Sequence, residues 1–224
     1  MEISGKRILV VGASGVLGSL IAQDLMAHGA KVLGTASSNE SASRLPSGLE
    51  LNLLLNLEDQ RSIEEIANYL NATGLDGVVL ASGLVGFGNT DQLTPQALDR
   101  IFDVNALGQM KLLMAIQTAL INAEAAFVVA IPGVVAETPL PGMAAYSASK
   151  TALQGFLTAI TREWRRQGVS VISARPGHTE TGLASRAIAG IAPAFAQGLN
   201  PVAVAQRIVQ AILNDEKDLA SSNF

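Results

Sequence analysis

Cysteine is absent from the 224 residues, and histidine occurs only twice. Without cysteine the chain has no disulfide bond and no thiolate metal site. His28 and His178 lie far apart in the sequence and belong to no cluster with metal-ligand spacing. We therefore expect no metal site.

Aromatic and charged residues are also scarce, at 4% and 15% of the chain. Because 49% of the residues are hydrophobic, we expect a large core built from aliphatic side chains. The formal net charge is -4, and no run of basic residues occurs. This charge pattern argues against a nucleic-acid partner and against binding to a membrane surface.

Targeting and membrane segments are missing from the sequence as well. Residues 1–7 show no signal-peptide pattern. No uninterrupted apolar run approaches the roughly 18 residues that a membrane span needs. The expectation is a soluble, cytoplasmic protein.

Short apolar runs alternate with helical patterns along the whole chain. We predict a loop at 37–48 and a helical stretch over 94–122 made of two joined segments. The other predicted helices cover 20–28, 62–70, 146–166 and 201–213, and the strands 7–11, 31–35, 49–57, 78–80, 127–131 and 169–174. This order predicts an α/β fold over residues 1–224, a single Rossmann-like domain with a doubly wound parallel sheet and helices on both faces.

A glycine-rich turn, Gly12-x-x-Gly15-x-x-Gly18, follows the first predicted strand and opens a helix. Glycines let the backbone approach a pyrophosphate, and a helix N-terminus offers unpaired N–H groups and a positive dipole end. A merely tight turn has the same composition, but the βαβ context favours a dinucleotide-binding turn.

Tyr146 and Lys150 are four residues apart at the start of a predicted helix, and therefore on one face of it. An ammonium beside a phenol stabilises the phenolate, so we expect Lys150 to lower the pKa of Tyr146. The pair is a candidate for proton transfer. The alternative is an exposed tyrosine and a solvated lysine at a helix start.

Six motifs in this order resemble the short-chain dehydrogenase/reductase family over essentially the whole chain. They are the glycine turn, Asn56-Leu57, Ala81-Ser82-Gly83, Asp103-Val104-Asn105-Ala106, Tyr146-Ser147-Ala148-Ser149-Lys150 and Pro176-Gly177-His178-Thr179-Glu180-Thr181. The resemblance implies an oxidoreductase that moves hydride between a nicotinamide and a carbonyl or alcohol.

The resemblance also implies a role for each matching residue. Tyr146 would be the general acid/base, Lys150 would hold the nicotinamide ribose, and Asn105 would anchor a proton-relay water. The residues expected to bind the cofactor are Gly12, Ser14, Gly15, Val16, Leu17, Gly18, Ser37, Asn56, Leu57, Ala81, Ser82, Gly83, Pro176, Gly177, Thr179 and Thr181. Taken alone, Asn105 could equally be a polar residue that bridges a helix kink. Thr179 and Thr181 could equally be helix caps.

Three departures from the family pattern point away from the usual active enzyme. Gly133 stands thirteen positions before Tyr146, where the family has a serine whose hydroxyl polarises the carbonyl. Losing one such donor costs on the order of 10²–10³ in rate. Thr138, a backbone N–H near Gly133, or a substrate that needs no donor could compensate. Ala81-Ser82-Gly83 replaces the family's Asn-Ala-Gly, and the glycine spacing is atypical.

The end of the second predicted strand favours NADP over NAD. No acidic residue stands at residues 34–38 to accept from a ribose 2′-hydroxyl. The serines there, with Arg44 nearby, could instead bind a 2′-phosphate, unless they are only loop residues.

Residues 183–200 hold few charges and are expected to form a substrate lid, or else a core-packing helix pair. An apolar lid predicts a mostly apolar carbonyl or alcohol substrate. By the same resemblance, the protein would be a homodimer or homotetramer joined through the helices at 97–122 and 146–166.

Three hypotheses follow. The first is an active NAD(P)-dependent oxidoreductase. The second, motivated by Gly133, is a catalytically impaired NADP-binding sensor or partner protein on the same fold. The third is an enzyme of different chemistry, such as a dehydratase or epimerase.

Overall fold

The computed structural model describes all residues, 1–224, and confirms the predicted doubly wound α/β fold. Seven parallel strands form one sheet in the order β3-β2-β1-β4-β5-β6-β7. The strands are β1 Arg7–Val11, β2 Lys31–Ala36, β3 Leu51–Leu54, β4 Gly77–Leu80, β5 Ala126–Ala130, β6 Val169–Ala174 and β7 Asp218–Leu219. The strand order reverses between β1 and β4, and such a switch point opens a crevice at the carboxyl ends of the strands.

Helices cover both faces of this sheet, and each face has its own apolar core. The helices are α1 Val16–Ala27, α2 Asn39–Ala42, α3 Gln60–Thr73, α4 Pro95–Phe102, α5 Gly108–Asn122, α6 Ala144–Trp164 and α7 Pro201–Leu213. Alternate strand residues point to opposite faces, so Leu9 packs with α3, α5 and α6, whereas Ile8 packs with α1 and α7. Aliphatic residues dominate both cores, as the composition predicts.

The stretch 94–122 contains two helices, as expected, and they are joined by a π-helical turn at Asp103–Leu107. Thr94 caps the N-terminus of α4 with its side chain, and Pro95 occupies the first turn. By length and composition alone, Pro95–Asn122 is apolar enough to cross a membrane. Half of the apolar window is buried inside the protein, as in a core helix.

The structure corrects the sequence prediction in three places. The expected loop at 37–48 contains the short helix α2, where Ser38 and Ser41 form a capping box. The third strand is shorter than 49–57, ending at Leu54. Strand β7, absent from the sequence prediction, pairs with the end of β6 through Asp218 and Leu219.

Candidate active site

The glycine turn between β1 and α1 brings backbone segments unusually close together. Gly12 has φ +83, and a Cβ there would lie 2.6 Å from the Ser82 hydroxyl oxygen. A Cβ on Gly18 would lie 2.3 Å from the Gly12 carbonyl oxygen, so this glycine allows the helix to pack on the turn. No side chain caps the N-terminus of α1 at Gly15, which leaves the amides of its first turn available to an anion.

Two cavities lie along the carboxyl ends of the strands, and both are lined by Ser82 and Gly83. The smaller cavity, about 210 Å³, lies beside the glycine turn and the end of β2. Besides the shared pair, the predicted cofactor residues that line it are Gly12, Ser14, Gly15, Ser37, Asn56 and Leu57. The fold adds Thr35, Glu58 and Arg100 to the same wall.

The larger cavity, about 270 Å³, has a mainly apolar wall and contains the proposed catalytic pair, Tyr146 and Lys150. The predicted cofactor residues in this wall are Val16, Leu17, Ala81, Pro176, Gly177, Thr179 and Thr181. Of all the predicted cofactor residues, Gly18 alone lines neither cavity, because it packs against Gly12. The structure thus brings together motifs that are distant in the sequence.

Tyr146 and Lys150 lie on the first turns of α6, with the Lys150 Nζ 5.9 Å from the centre of the tyrosine ring. The ammonium donates a hydrogen bond to the carbonyl oxygen of Ile131 at 2.9 Å. Burial lowers the pKa of Lys150 to about 8. Burial also raises the pKa of Tyr146 to about 12, which is the reverse of the expected direction. Desolvation of the phenolate therefore outweighs attraction to the ammonium in this arrangement.

Asn105 lies in the π turn, is fully buried and lines neither cavity. Its side-chain oxygen accepts from the Leu84 N–H, and its side-chain nitrogen donates to the Leu84 carbonyl, both at 2.8 Å. The nitrogen also donates to the Ser149 hydroxyl at 3.1 Å. The side-chain amide of Asn105 thus connects the π turn to the segment after β4 and to α6, the helix that carries Tyr146.

Gly133 adopts φ 76 and ψ 168, a conformation that is essentially restricted to glycine. Its N–H donates to the Ala174 carbonyl, and the N–H of Val134 donates to the Pro176 carbonyl. These two amides are therefore occupied and do not offer the free backbone donor considered from the sequence. Thr138, the other candidate donor, does not line the cavity.

Arg175, which precedes Pro176, ties three segments together behind the cavity. The buried guanidinium forms a bidentate ion pair with Asp218 in β7, with N···O distances of 2.6 and 2.9 Å. It also pairs with Glu137, just after the turn that contains Gly133. The Ser221 hydroxyl donates to the other Glu137 oxygen at 2.6 Å. The cavity wall is thus fastened to the last residues of the chain.

The segment 183–200 is irregular apart from one 3₁₀ turn at Ala184–Arg186 and a β-bridge from Leu199 to Thr179, so the core-packing helix pair is wrong. Backbone hydrogen bonds fix both of its ends: Ile188 donates to Val85, and Leu199 donates to His178. Phe195 stacks on the His178 ring with centroids 4.7 Å apart. The segment is thus attached to the cavity wall near each end and packs on it in between.

Sequence reasoning missed several residues of the large cavity. Val85, Phe87 and Met143 supply apolar surface to its wall, and His178 supplies a polar group. Their positions depend on contacts between distant segments. No spacing in the sequence marks them, although His178 lies inside a recognisable motif. Arg186 and Phe195 also line the cavity, and both belong to the predicted substrate segment 183–200.

Comparison with known proteins agrees with this geometry. The sequence profile described as short chain dehydrogenase matches residues 6–191. The 3-oxoacyl-(acyl-carrier-protein) reductase FabG of Salmonella typhimurium is 32% identical over 186 residues, covering 81% of this chain and 76% of the relative. The 2,3-dihydro-2,3-dihydroxybenzoate dehydrogenase of Escherichia coli is 29% identical over 235 residues, covering 99% and 93%.

Solved structures show the same fold. A short-chain dehydrogenase from Streptomyces avermitilis superposes with a TM-score of 0.84 at 25% identity, covering 97% of this chain and 88% of that one. One from Burkholderia cenocepacia, in complex with NADP, gives a TM-score of 0.86 at 20% identity, covering 98% and 89%. The chain therefore belongs to the short-chain dehydrogenase/reductase family and is an oxidoreductase of that family.

Proposed function

We propose that the protein reduces a carbonyl, or oxidises the corresponding alcohol, with NADP(H) as the favoured cofactor. The observation that carries this proposal is the placement of Tyr146 and Lys150 in a cavity whose other walls contain the predicted cofactor residues. Lys150 alone would also suit a site that only binds a nucleotide, but the phenol of Tyr146 adds a group that can exchange a proton in the same cavity.

A dinucleotide would lie along the two cavities, which share Ser82 and Gly83 in their walls. The backbone amides at the start of α1 and the turn at Gly12 and Gly15 would hold its pyrophosphate, while Gly18 lets the helix pack on that turn. Asn56 and Leu57 would lie beside the adenine, while Pro176, Gly177, Thr179 and Thr181 would lie towards the nicotinamide. When bound, the cofactor would supply or accept the hydride.

Tyr146 would exchange the proton at the substrate oxygen. In the reduction, the C=O bond opens as hydride reaches the carbon, and the oxygen takes the phenol proton. The high pKa of Tyr146, about 12, keeps the phenol protonated but makes it a weak acid, because the phenolate is costly to form. Lys150 would lower that cost when its ammonium faces the phenolate. Asn105 would hold the helix turn beside which a water could relay protons to Lys150.

NADP remains our favoured cofactor on the character of the small cavity. Ser37 lines this cavity at the end of β2, where residues 34–38 contain no acid, and the one acid in the cavity wall is Glu58. Arg44 does not line the cavity, whereas Arg100 does, with its Nε 3.0 Å from the Glu58 carboxylate. The related structures from Burkholderia cenocepacia and Sphingobium yanoikuyae hold NADP and NADPH, which supports the same choice.

The apolar wall of the large cavity supports a substrate with a mostly apolar body. Val85, Phe87 and Met143 form a small apolar cluster on one side, and Leu183 and Ala184 of the lid segment pack against it. We propose that 183–200 covers the substrate and excludes water during the transfer.

A homodimer or homotetramer remains a prediction of the family resemblance. The proposed interface helices and the turn beside them expose apolar side chains, with Leu107 43% and Met114 65% accessible. Sedimentation of the purified protein would measure its mass in solution. A cytoplasmic location also stays a prediction, which cell fractionation would test.

The decisive experiment compares the only two tyrosines, Tyr146 and Tyr69. NADPH and NADH oxidation is followed against ketones, aldehydes and quinones for the parent, Tyr146→Phe and Tyr69→Phe. Tyr69, 37% exposed, contacts Arg7 through its hydroxyl and lies outside both cavities, so its variant is the control. We expect Tyr146→Phe alone to lose turnover by about 10² or more.

A parent without turnover on the whole panel, together with NADPH binding that Tyr146→Phe leaves unchanged, would contradict this function. Product formed without a change in cofactor absorbance would instead indicate a dehydratase or epimerase.

A further inference from the structure

The wall of the large cavity contains basic residues and no acidic ones. Arg186 and His178 contribute basic side chains near the lid, while no aspartate or glutamate lines the cavity. The chain as a whole has a formal net charge of -4. The cavity wall is therefore basic, although the protein as a whole is acidic.

Arg186 has no carboxylate partner in the protein. Its side chain makes one long hydrogen bond, from Nη2 to the Thr181 carbonyl at 3.4 Å, and no ion pair. It lies at the end of the 3₁₀ turn Ala184–Arg186, within the proposed lid. Most of the planar guanidinium donors thus stay available for a bidentate contact with an anion.

The Glu180 carboxylate, six positions before Arg186, is already engaged. It accepts a hydrogen bond from the Gly198 N–H at 2.8 Å, and the same oxygen lies 3.5 Å from His178 Nε2. Glu180 is not part of the cavity wall, so it does not offer Arg186 an internal partner. The stack of His178 on Phe195 holds the imidazole in the wall.

We propose that the substrate carries an anionic group, a carboxylate, which Arg186 binds at the lid end of the cavity. The apolar body of the substrate would lie along Val85, Phe87 and Met143, and its carbonyl would reach Tyr146. Arg186 thereby selects keto acids or hydroxy acids over their neutral counterparts. The placement of the substrate carbonyl at Tyr146 rests on the proposed function. The binding of the anion by Arg186 does not.

The activity arm uses matched pairs of substrates: keto acids with two to five methylene groups between carbonyl and carboxylate, and their methyl esters. In the parent, kcat/KM for the best acid should exceed that for its ester by about three- to tenfold, because an Arg–carboxylate pair at a solvent-exposed site is of modest strength. Arg186→Gln should abolish the preference, Arg186→Lys should restore part of it, and the preference should weaken in high salt.

Arg162→Gln is the matched control. Arg162 is exposed on α6, makes no side-chain hydrogen bond or ion pair, and lies outside the cavity. Its variant loses the same charge and should keep the full preference for the acid. An equal loss in both variants would show a general effect of protein charge and overturn the role of Arg186.

A binding arm separates this inference from the proposed function. Hexanoate and hexanamide are titrated by calorimetry into the NADP-saturated parent, Arg186→Gln and Arg162→Gln. Tighter binding of hexanoate that depends on Arg186 supports the anion site even if no ketone is turned over. Tyr146-dependent turnover with equal affinity for hexanoate and hexanamide would overturn the anion site and leave the oxidoreductase function standing.

Discussion

The side chain of Asn105 pairs with the backbone of Leu84 through two hydrogen bonds of 2.8 Å, one in each direction. The amide group behaves like one residue of a neighbouring strand. It connects the segment after β4 to the π turn and sets the position of the residues that follow β4. Because Ser149 accepts a third bond from it, the same amide is linked to the helix of Tyr146.

Asn105→Ala should destabilise the protein by about 2–4 kcal/mol, because it leaves the Leu84 N–H and carbonyl without their partner. Urea unfolding at pH 7 measures this loss. Turnover of the folded fraction should also fall, because the missing hydrogen bonds of Asn105 loosen the contact between the π turn and the helix that carries Lys150.

Asn71→Ala is the matched control for that variant. Asn71 makes the same kind of paired contact, donating to the Ala115 carbonyl and accepting from the Ala119 N–H, but it lines neither cavity. Its variant should lower stability and leave the turnover of folded protein unchanged. Equal turnover loss in both variants would mean that Asn105 acts only through stability.

Lys150 should impose a distinctive pH dependence on stability. Burial lowers its pKa from 10.5 to about 8, so between these values the unfolded chain binds more protons than the folded one. The free energy of unfolding therefore gains a contribution that rises from pH 8 towards 10.5 and is flat below pH 8. Lys150→Met removes this titration, so the stability of the variant relative to the parent should decrease across that interval.

Urea unfolding at about half-unit steps of pH, across the interval in which Lys150 titrates, tests this prediction. Lys111→Met is the control, because Lys111 is exposed on α5, and its variant should track the parent. A constant difference between the parent and Lys150→Met would show that Lys150 keeps an ordinary pKa.

Gly133→Ser should not create an active serine. The position is spacious, since a Cβ there would lie 3.7 Å from the Pro176 carbonyl oxygen, but φ 76 and ψ 168 strain any residue that carries a side chain. The cost is about 1–3 kcal/mol. We expect lower thermal stability and no increase in kcat.

Gly133→Ala separates the strain at this position from the effect of the hydroxyl. Both variants should lose similar stability, because the strain comes from the backbone. A Gly133→Ser enzyme at least tenfold faster than both the parent and Gly133→Ala would show that the turn rearranges to present the hydroxyl.

Ser37→Asp should shift the cofactor preference from NADP towards NAD. A carboxylate at this place in the small cavity repels a 2′-phosphate and accepts a hydrogen bond from a 2′-hydroxyl. The ratio of kcat/KM for NADPH to that for NADH should drop by at least about tenfold. Ser47→Asp, exposed and outside the cavity, adds the same charge as a control. An unchanged ratio would place the adenosine ribose away from Ser37.

The central strands were predictable because they are buried on both faces. β1, β5 and β6 are continuous or nearly continuous apolar runs, and their predicted bounds agree with the structure to within a residue. β7 has two residues and exists only because it pairs with β6 at Ser173 and Ala174. A strand so short carries no periodicity, so its sequence does not reveal it.

The candidate site also has features that local sequence predicts and features that it does not. The spacing of Tyr146 and Lys150 is a local property of one helix, and the structure keeps them adjacent. The direction of the Tyr146 pKa depends on how much protein surrounds the ring, which spacing does not report. Likewise, the turn at Gly133 is held by hydrogen bonds to a distant part of the sequence, from the Gly133 N–H to the Ala174 carbonyl and from the Val134 N–H to the Pro176 carbonyl.

The Arg175 clamp has a practical consequence for handling the protein. Asp218 and Ser221 lie close in sequence to Phe224, yet both connect to the wall of the large cavity through Arg175 and Glu137. A tag or fusion protein joined after Phe224 would therefore be attached close to residues that hold the wall of the large cavity, and strain at that end could reach the substrate site.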